Sequence, residues 1–564
     1  MRQEHLRCFS PLQLIALVAL CFFVAATNTH AYGGDCGTMH VFENFIKKQK
    51  QLKNKGQTSV KHEPQYVDSE EKCKVEDFYD TVYTIETPHF QVMYVLTGPH
   101  ATTKPFADST AVILEDAWDF YINQHKMHTP KGPTISHHFR QTIKQGLYPV
   151  EIIDINQVRE KIFDSSGCAQ NFAITYPFDI NGSSEIFMEN DFYATCSRYG
   201  DNDTIFVHGD TCTYPKTKIP LQNLTHNYSY TKEWVKGLRV TIFHEFYHAI
   251  QLTYLDLNMN FSFWFEASAT GFEEITNPEI DDYLRYIPEL FSNMGYPLSE
   301  DTSNYGASTL FLYLYLHVSK DLDRLIWESY HANPTKNFEY QLESALKKFK
   351  YDADSIFHDY TVRLSFSGSR AATTNKKNWI IEDQPKWRDA DFFYQDSIKP
   401  NIESLVFEFY NIPKNYSVPY FVDFTNFIGK ASVVVYNDGK ASIYKIASNK
   451  TLDSLTTTLA TSDSSVWIFS RLGKSENIPI SNSSAAPHAF PVPWRNGPLC
   501  FAPLPKDKKF IELRTRRGDL ISQEKYEGTS YCLQEDQVKS MMAPGIYRFR
   551  VGNSGKTTSF IVIY

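Results

Sequence analysis

The spacing of apolar residues changes several times along the chain, and each change marks a different kind of element. Residues 12–26 form a nearly unbroken apolar run behind Arg2 and Arg7, followed by small residues that offer cleavage after Ala26 or Ala31. That is the layout of a secretory signal peptide, and the run is short for spanning a bilayer. Residues 32–85 are polar. Between 86 and 215, residues 89–95 and 148–153 read as strands and 110–124 as an amphipathic helix. From 216 to 370 the pattern is mainly helical. Leu238, Ile242, Phe246 and Ile250 recur at helical spacing in a stretch without proline from 232 to 255, and further helices are predicted over 280–291 and 305–318. Past 390 the period drops to two, as in Leu405, Phe407 and Phe409, then at 433–436 and 466–469. A last hairpin is predicted over 545–551 and 558–564, turning at Asn553-Ser554-Gly555.

The expected fold class is therefore α+β: a mixed N-terminal sheet region plus a helical half, followed by two antiparallel β-sandwich modules. The predicted boundaries are 1–31 for the signal peptide, 32–85 for an N-terminal segment, and 86–385 for the α+β domain. A first β-sandwich module follows at 390–474, a linker rich in Ser, Asn and Pro at 475–493, and a C-terminal module at 494–564. A chain of 564 residues is too long for one core, which agrees with several domains.

Composition narrows the surroundings. A net charge of −9 argues against nucleic acid or an anionic membrane as partner. After the predicted signal no stretch reaches the roughly 18 apolar residues of a spanning helix; the longest apolar run, 310–318, reads as a core helix. Nine cysteines include Cys8 and Cys21 in the predicted signal. In an oxidising compartment the rest are expected to pair as Cys36 with Cys73, Cys500 with Cys532, and two of Cys168, Cys196 and Cys212. Glycosylation acceptors stand at Asn181, Asn202, Asn223, Asn227, Asn260, Asn415, Asn449 and Asn482. Secretion, or delivery to a lumenal compartment, is the expectation. The lysine run from Lys47 to Lys55 reads as a solvated or mobile stretch, with a removed propeptide covering a cleft as the alternative. The β modules are of a kind that binds carbohydrate or protein, or simply packs on its neighbour.

Candidate chemistry concentrates at His244-Glu245-x-x-His248. On a helix, positions i and i+4 share a face, so both imidazoles can hold one ion. Thr241, Ile242, Phe246, Tyr247, Ala249 and Ile250 are uncharged, as a buried helix requires. Catalytic zinc takes three protein ligands and keeps one open position. The third candidate is Glu266, flanked by Trp264, Phe265 and Ala267, on a second helix reached by a loop over 256–262. Glu273 and Glu274, two turns further on, are candidates to orient an imidazole. The alternative is a helix whose histidines are satisfied core or surface residues, with solvated glutamates.

The stretches His244-Glu-Phe-Tyr-His-Ala-Ile-Gln251 and Trp264-Phe-Glu-Ala-Ser-Ala269 resemble the gluzincin type of secreted zinc metallopeptidase. They are similar to a group with His-Glu-Phe-Phe-His-Ala-x-Gln followed by Trp-x-Glu-Ala-[Ser/Thr]-Ala. The likeness extends loosely to Pro88-His-Phe-Gln91, Asn190-Asp-Phe192, Tyr305-Gly-Ala307 and residues 357–363. It implies a zincin-like metallopeptidase domain over 86–385 that acts on a protein or peptide substrate. Zn2+ would be held by His244, His248 and Glu266, with Glu245 as general base. Tyr305, Tyr254 and His317 are the candidates for stabilising the oxyanion. A catalytically silent binding or adhesion protein on the same scaffold, and a zinc hydrolase of non-peptide substrate, are the other two readings.

Overall fold

The computed structural model describes residues 81–98, 100–155, 172–179, 181–190, 192, 202–207, 210–215, 234–255, 262–299, 305–390, 392, 397–398, 403–413, 421–422, 428–446, 449–474, 488–490, 498–502, 504, 510–515, 519–526, 530–552 and 557–562, and upstream Thr38, Val41, Phe42, Phe45 and Ile46. The predicted signal peptide, the lysine run, the loop over 256–261 and most of the predicted linker lie outside the described residues, as do Cys36, Cys73, Cys168 and Cys196. The architecture is mixed α and β, with several antiparallel sheets. Two compact units divide the chain, Met1–Asn477 and Ile478–Tyr564.

In the first unit, β1 (Tyr83–Glu86), β2 (Phe90–Tyr94), β3 (Tyr148–Ile153), β4 (Ala173–Pro177) and β5 (Ser184–Glu189) form a sheet in the order β1-β2-β3-β5-β4. β2, β3 and β5 are parallel neighbours, and β1 and β4 close the two edges antiparallel. Helix α1 (Lys104–Trp118) lies between β2 and β3 in the chain. It begins where Thr103 accepts the Phe106 N–H at 3.3 Å and Pro105 supplies a ready-made first-turn φ. One face of the sheet, with Phe90, Val92, Val150 and Ile186, joins the main core; the other, with Met93, Ile153, Ile174 and Phe187, packs on Phe139 and Val41. Burial on both faces explains why these strands read as continuous apolar runs. A separate antiparallel hairpin pairs β6 (Asn202–Val207) with β7 (Asp210–Pro215).

The helical half follows with α2 (Trp234–Gln251), α3 (Ser262–Thr276), the short α4 (Ile287–Ser292), α5 (Ser308–His317), α6 (Leu322–Ala332), α7 (Phe338–Lys347) and α8 (Ala353–Leu364). α2 packs on α1, on β4 and on α3, and α3 packs on α5. Gly271 is what lets α3 and α5 meet, because a Cβ there would sit 2.1 Å from Phe311 Cδ1. Among the described residues, no helix is long and apolar enough to cross a membrane.

The residues expected to form the first β-sandwich are arranged differently. β9 (Val406–Pro413), β11 (Lys430–Asn437), β12 (Lys440–Ile446) and β13 (Ser464–Arg471) make one antiparallel sheet in the order β12-β11-β13-β9, beside a small parallel pair, β8 (Ser397–Ile398) with β10 (Phe421–Val422). Phe407, Phe409, Val434 and Ile468 enter the main core, where Tyr360 of α8 meets Phe407 edge-on at 6.4 Å. The opposite face carries Tyr410, Val433, Val435 and Trp467, with Leu459 of α9 (Asn449–Thr461) against it. Helices therefore cover both faces of this sheet, where a sandwich would place a second sheet. His358 of α8 fastens it: Nδ1 meets Ser470 Oγ at 2.7 Å and Nε2 meets Ser432 Oγ at 2.8 Å.

In the second unit, β14 (His488–Phe490), β15 (Leu499–Ala502) and β18 (Tyr531–Leu533) form one antiparallel sheet. β16 (Phe510–Thr515), β17 (Leu520–Lys525), β19 (Gly545–Val551) and β20 (Thr557–Val562) form another. Phe501 and Leu533 from the first share a core with Leu513 and Phe549 from the second. Cys500 and Cys532 are joined by a disulfide across β15 and β18, as expected from the sequence.

Candidate metal centre

α2 runs without interruption through the motif because nothing between Trp234 and Gln251 breaks a helix, and residues 237–238 and 240–251 are all buried. His244 and His248 project together, their rings 4.5 Å apart. α3 brings Glu266 to the same point. His244 Nε2 lies 3.3 Å from Glu266 Oε2, His248 Nε2 lies 3.6 Å from it, and the two Nε2 atoms are 2.9 Å apart. Tetrahedral zinc with bonds of about 2.0–2.1 Å separates its ligand atoms by ~3.3 Å, so the three atoms stand at metal-ligand spacing.

The outer contacts fix which nitrogen carries a proton. His244 Nδ1 is 2.5 Å from Glu273 Oε1, a carboxylate that only accepts. His248 Nδ1 is 2.7 Å from Gln251 Oε1. Gln251 is oriented by its amide group, which donates to Phe265 O and Ser268 Oγ, each at 3.0 Å, so its oxygen faces the imidazole. Both histidines thus hold their proton on Nδ1 when neutral and turn an Nε2 lone pair inward. Neither Glu266 oxygen makes a hydrogen bond of sound geometry among the described residues. Burial raises the Glu266 carboxyl, and positive charge on His248 and His244 brings it down to about 2; with both imidazoles neutral, a cation between them supplies that charge instead. Two inward lone pairs and a buried anion need a cation between them. The residues fit a metal ion, and His244, Glu245 and His248 also stand as a buried group able to hold one.

Glu245 is 2 % exposed, with a carboxylate oxygen within 4.8 Å of the imidazole nitrogens. Its Oε2 accepts from Thr38 Oγ1 and from Thr175 Oγ1, both at 2.8 Å. Thr175 lies on the edge strand β4, and its N–H donates to Thr38 Oγ1 at 2.8 Å. Thr38 therefore bridges Glu245 to the sheet edge, and Phe42 stacks on Phe265 at 6.1 Å close by. Thr38 and Phe42, both in the N-terminal segment, thus reach the site.

Behind the ligands is a buried network. Asp323 of α6 accepts from the Tyr247 hydroxyl and from Trp264 Nε1 at 3.0 Å, and Trp327 Nε1 donates to the Tyr247 hydroxyl at 2.9 Å. Tyr247 precedes His248 and Trp264 lies two residues before Glu266, so one carboxylate ties both ligand helices together.

Glu273 orients an imidazole as the sequence suggested. Glu274 does not; it faces Asp281 and Asp383. Two of the three oxyanion candidates are engaged elsewhere. The Tyr254 hydroxyl accepts the His128 N–H at 2.9 Å, and His317 Nε2 lies 2.8 Å from Ile380 O. Tyr305 stacks on Tyr286 at 4.5 Å, and it is the Tyr286 hydroxyl, raised by burial, that feels the charges of Glu273 and His244. Sequence reasoning missed Thr38, Thr175, Asp323, Tyr286 and the role of Gln251. Only Gln251 left a signal, three residues after His248 on the same helical face.

No family model matches the chain, and no curated protein matches it. Among solved structures, PorZ, described as an essential bacterial surface component of the type-IX secretion system of Porphyromonas gingivalis, aligns at 19% identity over 17% of this chain and 14% of that one, with a TM-score of 0.13. A likeness of that size carries no argument about fold or function.

Proposed function

We propose that the chain is a secreted zinc metallopeptidase of gluzincin type, with a zincin-like domain that hydrolyses peptide bonds at His244, His248 and Glu266. One observation carries the reading: two imidazoles pinned at Nδ1 turn their lone pairs toward an ionised, unbonded carboxylate. A zinc ion held by His244, His248 and Glu266 would supply Lewis acidity and a water activated near neutral pH. Glu245 takes the proton of the attacking water and passes it to the leaving amine. Edge strand β4 offers main-chain groups to an extended peptide, with the Thr175 N–H nearest the base. Substrate has to displace Thr38 to reach either group. Tyr286 is the residue best placed to donate to a developing oxyanion.

The burial of Glu245 beneath Thr38 favours a second reading, a catalytically silent binding protein on the same scaffold. Zinc analysis and degradation of unfolded casein, with and without chelator, separate the two. The peptidase reading expects one zinc per chain, chelator-sensitive cleavage, and a Glu245→Gln variant that keeps zinc and loses cleavage. Zinc without cleavage, in the full chain and after a cut that removes residues 32–80 and leaves β1 in place, favours the silent scaffold. Absence of bound metal sinks the peptidase reading.

A further inference from the structure

We propose that Glu274, Asp281 and Asp383 form a second cation site, distinct from the histidine centre and built for a hard divalent ion, calcium rather than zinc. Glu274 is on α3, directly after Glu273. Asp281 follows α3 in a left-handed conformation (φ 56°), uncommon for a residue with a side chain, and Asp383 precedes a short helical turn, Gln384–Lys386. One oxygen from each of the three lies within 4.8 Å of the others.

Two of the carboxylates have one oxygen engaged, and each of the three has another left over. Asp281 Oδ2 pairs with Lys386 Nζ at 2.6 Å, and Asp383 Oδ2 accepts the Tyr283 hydroxyl at 2.7 Å. Glu274 Oε2, Asp281 Oδ1 and Asp383 Oδ1 are buried and have no hydrogen-bond partner among the described residues. Glu274 is only 5 % exposed, and a buried carboxylate oxygen without a donor is costly. With all three ionised, the carboxylates and one ammonium carry a net charge of −2, which a divalent ion neutralises as it displaces the proton that Glu274 otherwise holds. An all-oxygen, all-anionic ligand set without histidine or cysteine selects calcium or its hard relatives over zinc. Burial first, then Asp383 and Asp281, drive the Glu274 carboxyl up to about 9, so without a cation this site holds a proton at neutral pH. Such an ion would tie α3, the helix of Glu266 and Glu273, to the segment around Asp383.

The test is calcium titration of the full chain, stripped by dialysis and then kept at constant zinc, followed by calorimetry and by thermal unfolding. The wild type is expected to bind one calcium ion, with a rise in Tm of about 3 °C when calcium exceeds its dissociation constant a hundredfold. Glu274→Gln removes the repulsion without changing shape, so it should unfold no earlier than the wild type in the absence of calcium and gain nothing when it is added. Asp383→Asn should lose the calcium increment as well. No calcium heat in the wild type, or an equal increment in both variants, overturns the proposal. Zinc content and casein cleavage are read on the same samples, so loss of the histidine centre is scored separately from loss of this site.

Discussion

Asp323 is a carboxylate sealed between the two ligand helices, and its protonation can be read as stability. Burial raises it from 3.8 to about 7, against the lowering effect of donors from Tyr247, Trp264 and Trp327. The folded state therefore holds this proton more tightly than the unfolded chain. Its contribution is fully present below pH 3.8 and is lost as pH rises through about 7. A shift of about 3 units at 1.36 kcal/mol each makes the loss on the order of 4 kcal/mol. Asp323→Asn keeps an oxygen for Trp264 Nε1 and cannot ionise. Relative to the wild type, the variant should gain about 4 kcal/mol between pH 4 and pH 8. Equilibrium urea unfolding at each pH, read by the fluorescence of Trp264 and Trp327, gives the difference directly, and every other titrating group cancels in it. A flat difference would refute the reasoning; a difference of opposite sign would mean that the network stabilises the anion.

Three further outcomes follow from single contacts. Glu273→Ala removes the acceptor that fixes His244 and should weaken metal binding about 10- to 100-fold, measured by competition with a chromophoric chelator; unchanged affinity would take Glu273 out of that role. Gly271→Ala drives a Cβ into Phe311 and should cost about 1–3 kcal/mol, with zinc occupancy falling because the position lies between Glu266 and Glu273. An unchanged Tm would mean that α3 and α5 separate freely. Replacing Cys500 and Cys532 by serine opens a link of sequence separation 32 and should lower the stability of the second unit by about 4 kcal/mol in chemical unfolding.

The strand over 148–153, the unbroken ligand helix and the helix bearing Glu266 were legible because period and breaker placement are local properties. The cover on the second sheet was not. Val433-Val434-Val435 is apolar on consecutive positions, which signals burial on both faces, but the alternation at Leu405, Phe407 and Phe409 dominated the reading. Helix α9 was hidden by its threonines, poor helix formers, although Leu452, Leu455 and Leu459 keep helical spacing. Thr38 meets Glu245 across 207 positions, and Asp323 meets Tyr247 across 76, so no window along the sequence contains either contact.

The clamp at His358 has a practical consequence. Burial lowers this imidazole to about 4, so it stays uncharged in any ordinary buffer and grips both serines throughout. Expression of a shortened chain ending at 385 would strip away Ser432, Ser470, Phe407 and Phe409, leaving a naked greasy wall on α8. The smallest piece worth purifying to study the histidine centre runs through residue 477, where the first unit closes.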